Sequence, residues 1–402
     1  MSTGWRGLRL ACAILAVIAC ALGSAEAASR ADAFRATLDA AERKVFDAYL
    51  TAQTFHAAAL DAYWDQVEKK RSLRKRKRAK GQAFVTSDYV REQPPAYGGP
   101  ELPAALARRW ASFELEPRKE APPPEPIPAL ADFLDSARRY FDFAPEQVPE
   151  RTFKERYARE ALALGLTKDQ VIRVYALETS GLGTADMQAG IHPITRKGAP
   201  ISTALGYAQL LAANSVNELA GQGDVSGGRL RGLLRRTADP ARRERLESKI
   251  ASVRAMTATA RSVPREWSRQ VGLAKTVKGR GIHAINLDGD IGPWLQVNKL
   301  AGLKETAAKA GRARLSGAEI ELMNLAGPGT GLEMMESPAH DAPTTNFFAR
   351  AAYARNTIVR GKTAAELLAA LDSRMDENVK NAGAVEFAQV FDEIARESRA
   401  SR

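Results

Sequence analysis

From Ala31 to about Glu68, apolar or small side chains recur at Phe34, Leu38, Ala41, Val45, Ala48, Ala52, Phe55 and Ala59, in alternating steps of four and three. That spacing lines one face of a helix, so one long amphipathic helix, or two broken ones, is predicted there. A basic run follows at once, with nine Lys and Arg between Lys69 and Lys80 and no acid among them. Such a run reads as a solvated helix end or flexible arm, or as a contact for an anionic envelope surface. Between Pro94 and Pro128 stand ten of the chain's 20 prolines, which favour extended backbone and mark a linker. Helical periodicity resumes near Ala129 and lasts to about Met375. Three capping boxes stand within it, at Thr167 with Gln170, Ser316 with Glu319 and Thr363 with Glu366, each before a helix-period run. No Val, Ile or Tyr-rich alternation of strand length is visible, so the expected class is mainly α. The organisation predicted is a helical arm over 28–92, a Pro-rich linker over 93–128, a folded domain over 129–375 and a charged C-terminal helix or tail over 376–402.

Composition adds compartment and excludes several chemistries. At 45% hydrophobic and 26% charged residues over 402 positions, the chain has ordinary globular values. Its net charge of +12 falls to +3 outside the basic run. Residues 1–27 carry the marks of an export signal: Arg6 and Arg9, an apolar Leu10–Leu22, and Ala25-Glu26-Ala27 at the cleavage point. The alternative is a lipoprotein signal, with Val17-Ile18-Ala19-Cys20 as a loose lipobox and Cys20 as the anchor. Either way the expected address is the periplasm, and nucleic acid is not an expected partner. Both cysteines, Cys12 and Cys20, lie in this segment, so a mature chain cut after Ala27 has no disulfide, Cys-zinc site or thiol nucleophile.

The first capping box leads to the candidate chemistry. A helix starting at Thr167, with Leu166 and Val171 as its hydrophobic staple and Gly181 as its stop, puts Glu178 on the face of Val171, Val174 and Tyr175. A carboxyl there is desolvated and sits in the last helical turn, where the dipole disfavours negative charge. Both effects favour the protonated form that a general acid needs; the alternative is a salt bridge to one of the many arginines. Other constellations are weaker. Asn286-Leu287-Asp288-Gly289-Asp290-Ile291-Gly292 has the outline of a calcium loop, but Ile291 and Val297 stand where the EF-hand requires Gly and Glu, so a turn that caps a helix is expected. His56, His192, His283 and His340 lack ligand spacing, and Gly327-Pro328-Gly329-Thr330-Gly331 lacks the Lys of a phosphate loop. No metal and no cofactor are expected.

Glu178-Thr179-Ser180-Gly181, then Gly206-Tyr207-Ala208-Gln209-Leu210-Leu211, then Leu322-Met323-Asn324-Leu325-Ala326-Gly327-Pro328-Gly329 resemble, in that order, the three motifs of the soluble lytic transglycosylase family, which is related in fold to goose-type lysozyme. The resemblance covers about Ala129 to Met375. It implies a lysozyme-like catalytic domain with Glu178 as the catalytic acid and base. It also implies that Thr179, Gly206, Tyr207, Gln209, Asn324 and Gly327 line or border a glycan cleft, and that Tyr353 is the late aromatic bonded to the catalytic carboxyl. The implied substrate is the peptidoglycan glycan strand. Glu178 would protonate the leaving oxygen of the bond between N-acetylmuramic acid and N-acetylglucosamine. It would then take a proton from the C6 hydroxyl as that oxygen closes on C1, giving a 1,6-anhydro product without water.

The departures from the family pattern are specific. Thr179 replaces Ser, Met323 stands where Tyr is usual and would alter a subsite wall, and an Arg-rich insertion lies around Arg229–Arg269, expected as a helical pair. Asp186 is a candidate second carboxylate, which leaves a goose-type muramidase as the alternative enzyme. A non-catalytic glycan-binding envelope scaffold is the alternative outside enzymes.

Overall fold

The computed structural model describes residues 30–115 and 126–400, and the predicted export signal with Cys12 and Cys20 lies outside them. The described residues are mainly helical and contain no β-strand; four isolated bridges are the only extended pairings among them. The chain divides into two compact units, whose described parts are 30–75 with 92–115 and 76–91 with 126–400.

In the first unit, a helical turn over 30–35 precedes α1 (Ala40–Ala79). The break between them has a local cause. Asp39 Oδ1 accepts from Glu42 N at 2.8 Å and Glu42 Oε2 accepts from Asp39 N at 3.4 Å, a capping box that starts a new helix at 40. The basic run is the end of this helix. A second helix, α2 (Ala104–Leu115), occupies part of the stretch expected to be an extended linker. Its Leu106 and Trp110 are buried with Phe34, Leu38 and Phe46, and the Phe34 ring lies 5.0 Å from those of Phe46 and Trp110. Burying such rings is worth roughly 1.5–3 kcal/mol each, enough to order a helix that the surrounding prolines would otherwise leave extended.

The second unit begins inside α1. Lys77 Nζ bonds Asp88 Oδ2 at 2.6 Å, and Arg78 pairs with Glu333. Val90 N donates to Asn346 Oδ1 and Val90 O accepts from Asn346 Nδ2, both at 2.9 Å. Residues 76–91 are thus a strap of this unit, so the predicted boundary at 92 falls on its far side. The unit continues with α3 (Leu130–Phe141), α4 (Glu150–Ala163), α5 (Lys168–Thr179), α6 (Ala212–Arg236), α7 (Pro240–Ala260), α8 (Trp267–Lys275) and α9 (Val277–His283). After these come α10 (Ile291–Lys309), α11 (Gly317–Ala326), α12 (Pro328–Met334), α13 (Arg350–Arg355), α14 (Ala364–Asn378) and α15 (Ala382–Ala400).

These helices enclose two apolar cores. One gathers α4, α5, α11, α14 and α15; the other gathers α3, α6, α7 and α9. Helix α10 serves both, with Ile291 and Leu295 in the second core and Val297, Leu300, Leu303 and Ala307 in the first. The Arg-rich insertion forms the hairpin α6–α7, which buries Leu230, Leu246, Val253 and Met256. The segment expected as a charged C-terminal helix or tail forms helix α15, and this helix is also a wall of the first core. Phe387, Val390, Phe391 and Ile394 are all buried, and their spacing of three, four and seven puts them on one helical face.

Candidate active site

Helix α5 is built as its sequence dictates. Thr167 Oγ1 accepts from Gln170 N at 3.2 Å and Gln170 Oε1 accepts from Thr167 N at 3.0 Å, while Leu166 and Val171 are buried as the staple. At the other end Ser180 (φ 53°) and Gly181 (φ 64°) turn left-handed. A Cβ on Gly181 would stand 2.2 Å from Asn378 O, so only glycine lets this helix end close against the end of α14. Val171, Val174 and Tyr175 are buried, and Glu178 leaves the same face in the last turn.

Helix α11 faces it. Ser316 Oγ accepts from Glu319 N at 3.2 Å and Glu319 Oε2 accepts from Ser316 N at 2.8 Å, fixing where the helix starts and hence which way Asn324 points. Asn324 Nδ2 donates to Glu178 Oε1 at 3.1 Å and to Glu321 Oε1 at 3.3 Å. One amide therefore bridges two carboxyls. Glu321 is 4% exposed. Glu178 is partly exposed, as befits a side chain in a cavity wall, although protein atoms crowd its carboxyl.

Burial dominates the electrostatics. It raises the Glu178 carboxyl to about 7, against weaker opposition from a hydrogen bond with Glu321, the Lys299 charge and Asn324. It also holds Glu321 well above the ordinary carboxylate range, helped by the neighbouring Glu178 charge. Burial likewise depresses Lys299, which Glu218, Glu321 and Glu178 support, and raises Glu218. Two carboxyls in hydrogen-bond contact do not ionise together. The pair therefore holds a proton to higher pH than an isolated carboxyl would.

The carboxyl pair opens into a cavity of about 650 Å³ lined by Glu178, Glu321, Asn324, Lys299, Gln209, Leu211, Asn214, Trp267 and the 325–328 turn. It lies at the seam of the two cores, where α10 passes from one to the other. Of the residues predicted for a site, the structure brings Glu178, Gln209, Asn324 and Gly327 around this one cavity. Gln209 is left-handed (φ 40°) and its Nε2 donates to Gly206 O at 2.8 Å.

Four others lie elsewhere. Thr179 is buried and its hydroxyl donates to Tyr175 O at 2.6 Å in its own helix, so it does not reach the cavity. Tyr207 is buried in the first core among Tyr157, Tyr175 and Phe387, with its hydroxyl on Glu150. Gly206 (φ 74°) packs against Gln296, whose Nε2 would be 2.4 Å from an added Cβ, so it shapes the turn without lining the cavity. The Tyr353 hydroxyl accepts from Gly361 N at 2.9 Å, and Tyr353 is not part of the cavity wall. Met323, expected in a subsite wall, is fully buried.

Asp186 lines a different pocket, of about 180 Å³, and pairs with Arg196 at 2.9 Å. His283 is buried and holds Ser215 Oγ at 2.8 Å and Thr203 O at 2.6 Å; burial pushes it down to about 4, which makes it a neutral core residue.

Sequence reasoning missed Glu321, Lys299 and Trp267. For Glu321 a cue was present, since it stands three residues before Asn324 and so shares its helical face. Lys299 and Trp267 reach the cavity only through tertiary packing. No family model, curated protein or solved structure matches the chain.

Proposed function

We propose that the chain is a peptidoglycan lytic transglycosylase with a lysozyme-like catalytic domain, acting in the periplasm, in which Glu178 is the single acid and base. The observation that carries this reading is a carboxyl crowded by protein atoms, and raised towards neutrality by that burial, in the wall of a cavity of about 650 Å³. A second carboxyl is bonded to it rather than set across from it. Hydrolases with two working carboxyls hold them about 5–9.5 Å apart so that they flank the scissile bond. Glu178 and Glu321 both accept from Asn324 Nδ2, which makes them one hydrogen-bonded group rather than two independent carboxyls, and Asp186 belongs to another pocket.

The chemistry then needs one proton moved twice. Glu178 gives its proton to the bridging oxygen as the C1–O bond breaks. The resulting carboxylate is stabilised by the Glu321 hydroxyl, the Asn324 amide and Lys299, all fixed in place before the charge appears. It then takes the proton of the muramyl C6 hydroxyl as O6 bonds to C1, which restores the acid and consumes no water. Ring closure is intramolecular and enjoys a high effective concentration. The apolar wall of Leu211, Trp267, Leu325 and Ala326 favours it by limiting water at C1.

The deciding experiment is digestion of purified sacculi followed by mass spectrometry of the released muropeptides. Anhydromuramyl ends, lighter by one water than hydrolytic ends, are expected as the main product. Reducing muramic acid ends would replace this reading with a muramidase, and intact sacculi would leave a glycan-binding scaffold.

A further inference from the structure

A second cavity, of about 400 Å³, adjoins the first and shares Leu211 and Trp267 with it. Pro126-Ile127-Pro128 forms one side, and helices α8 and α9 supply Val271, Ala274, Lys275 and Arg280 on the other. Apart from Leu211, none of these belongs to the three motifs on which the family resemblance rests. Ile127, Leu211 and Trp267 are among the large apolar side chains that remain exposed, and here they line one concave surface. The lining contains two cations and no carboxylate. Arg280 Nε is shielded from solvent and has no hydrogen-bond partner among the described residues. The Arg280 guanidinium lines the cavity, and no carboxylate in that lining neutralises it.

We propose that this cavity is a subsite for the acidic peptide carried by the glycan: small apolar side chains lie on Trp267, Ile127 and Val271, and a peptide carboxylate is taken by Arg280 with Lys275 at the rim. The ligand class follows from the lining. A neutral sugar offers no anion for Arg280, and a purely apolar ligand would leave its charge without a counterion. A short peptide with methyl groups and carboxylates satisfies both, and guanidinium is the donor best matched to carboxylate geometry. Continuity through Leu211 and Trp267 explains why this peptide would be attached to the sugar beside Glu178. The inference rests on the glycan reading above, so its test separates the two.

The probes are N-acetylmuramyl-L-alanyl-D-glutamic acid and the methylamide of N-acetylmuramic acid, whose lactyl carboxyl is capped and uncharged, titrated calorimetrically into the Glu178→Gln chain, where no turnover interferes. The peptide-bearing probe is expected to bind at least tenfold more tightly than the sugar. Adding Arg280→Met is expected to weaken the peptide-bearing probe about tenfold, the usual scale for a charge-assisted bond, and to leave the sugar unchanged. Arg280→Lys should recover part of the loss. Equal binding of the two probes, or an equal loss for both with Arg280→Met, would overturn the proposal. If Arg280→Met no longer melts cooperatively, the exposed Lys275→Glu carries the test: a several-fold loss for the peptide-bearing probe alone supports the subsite, and no change overturns it. Peptide binding through Arg280 in a chain whose parent leaves sacculi intact would sink the lytic reading while the subsite stands. Turnover without peptide preference would sink the subsite alone.

Discussion

Two buried groups of carboxyls in the same unit have opposite charge balance. Around the Asp288–Asp290 turn, three carboxyls meet three cations. Lys249 Nζ lies 2.6 Å from Asp290 Oδ2, 2.9 Å from Asp288 Oδ2 and 3.2 Å from Glu146 Oε2; Arg156 and Arg242 each hold Asp290 at 2.7 Å, and Arg242 also holds Glu146. Burial pushes Asp290 upward, but Lys249, Arg156 and Arg242 together hold it below the ordinary carboxylate range. Asp288 remains raised by burial, and its Oδ1 accepts from Asp290 N at 3.0 Å and Ile291 N at 3.1 Å, capping α10. Glu178 and Glu321 in the cavity wall, and Glu218 nearby, share the charge of Lys299, and Arg265 supports Glu218 alone. Matched charges make a structural bolt that joins α4, α7 and the start of α10. Unmatched carboxyls retain protons, and a retained proton near pH 7 is what an acid catalyst has to give.

The sharpest way to break this contrast is to remove the proton without changing shape. Glu178→Gln keeps the bond from Asn324 but cannot deliver a proton, so kcat on sacculi or soluble glycan strands should fall about 10²–10⁴-fold while the chain still unfolds cooperatively at no lower temperature than the parent. Activity within tenfold of the parent would mean that another group is the acid and that the unmatched cluster has no chemical role.

Next in size is a pair of lysine substitutions read by denaturant unfolding at pH 7. Lys249→Met leaves Asp288 and Asp290 buried against fewer cations and should cost about 3–5 kcal/mol, as expected when one partner of a buried pair is removed. Lys299→Met should cost far less, because Glu178 and Glu321 can answer its loss by holding their protons. Its effect should appear instead in the pH profile. With the Lys299 charge gone, the ionised form of Glu178 loses support, so the alkaline fall of kcat/KM, near pH 7 in the parent, should move up by roughly one unit. Equal destabilisation by the two substitutions would erase the distinction between bolt and acid pair.

What the sequence revealed of these regions was whatever is encoded locally. The capping box at Thr167, the staple of Leu166 and Val171 and the stop at Gly181 placed Glu178 on its apolar face, because each cue lies within one helix. The expectation that the 286–292 stretch is a turn that caps a helix drew on the same kind of short-range chemistry. Thr179 and Tyr207 show the limit. Thr179 is one residue from Glu178, about 100° around the helix, and its hydroxyl closes on its own backbone. Tyr207 follows the left-handed Gly206, and that turn aims its ring into the core. The C-terminal helix was legible in Phe387, Val390, Phe391 and Ile394, but its charged residues obscured that stripe. Lys249 with Asp288, and Lys299 with Glu178, are pairs far apart in sequence, and no local pattern contains them.

The smallest expected effect tests the acid pair through stability. Burial raises both carboxyls above their ordinary values, so the folded chain retains protons that the unfolded chain releases above about pH 4.5. Stability from this pair is therefore complete below that pH and is lost as pH rises, for Glu178 through its folded value of about 7. Each proton so retained gives a slope of about 1.4 kcal/mol per pH unit. Glu321→Gln keeps an amide donor for Glu178 but removes one titrating carboxyl. Its unfolding free energy should consequently fall less steeply than the parent's between pH 5 and pH 8, by about 1 kcal/mol per unit, and it should be the more stable chain at pH 8. The opposite sign, a variant that weakens faster with rising pH, would mean that Glu321 is ionised in the folded chain and that Lys299 balances the pair as Lys249 balances Asp288 and Asp290.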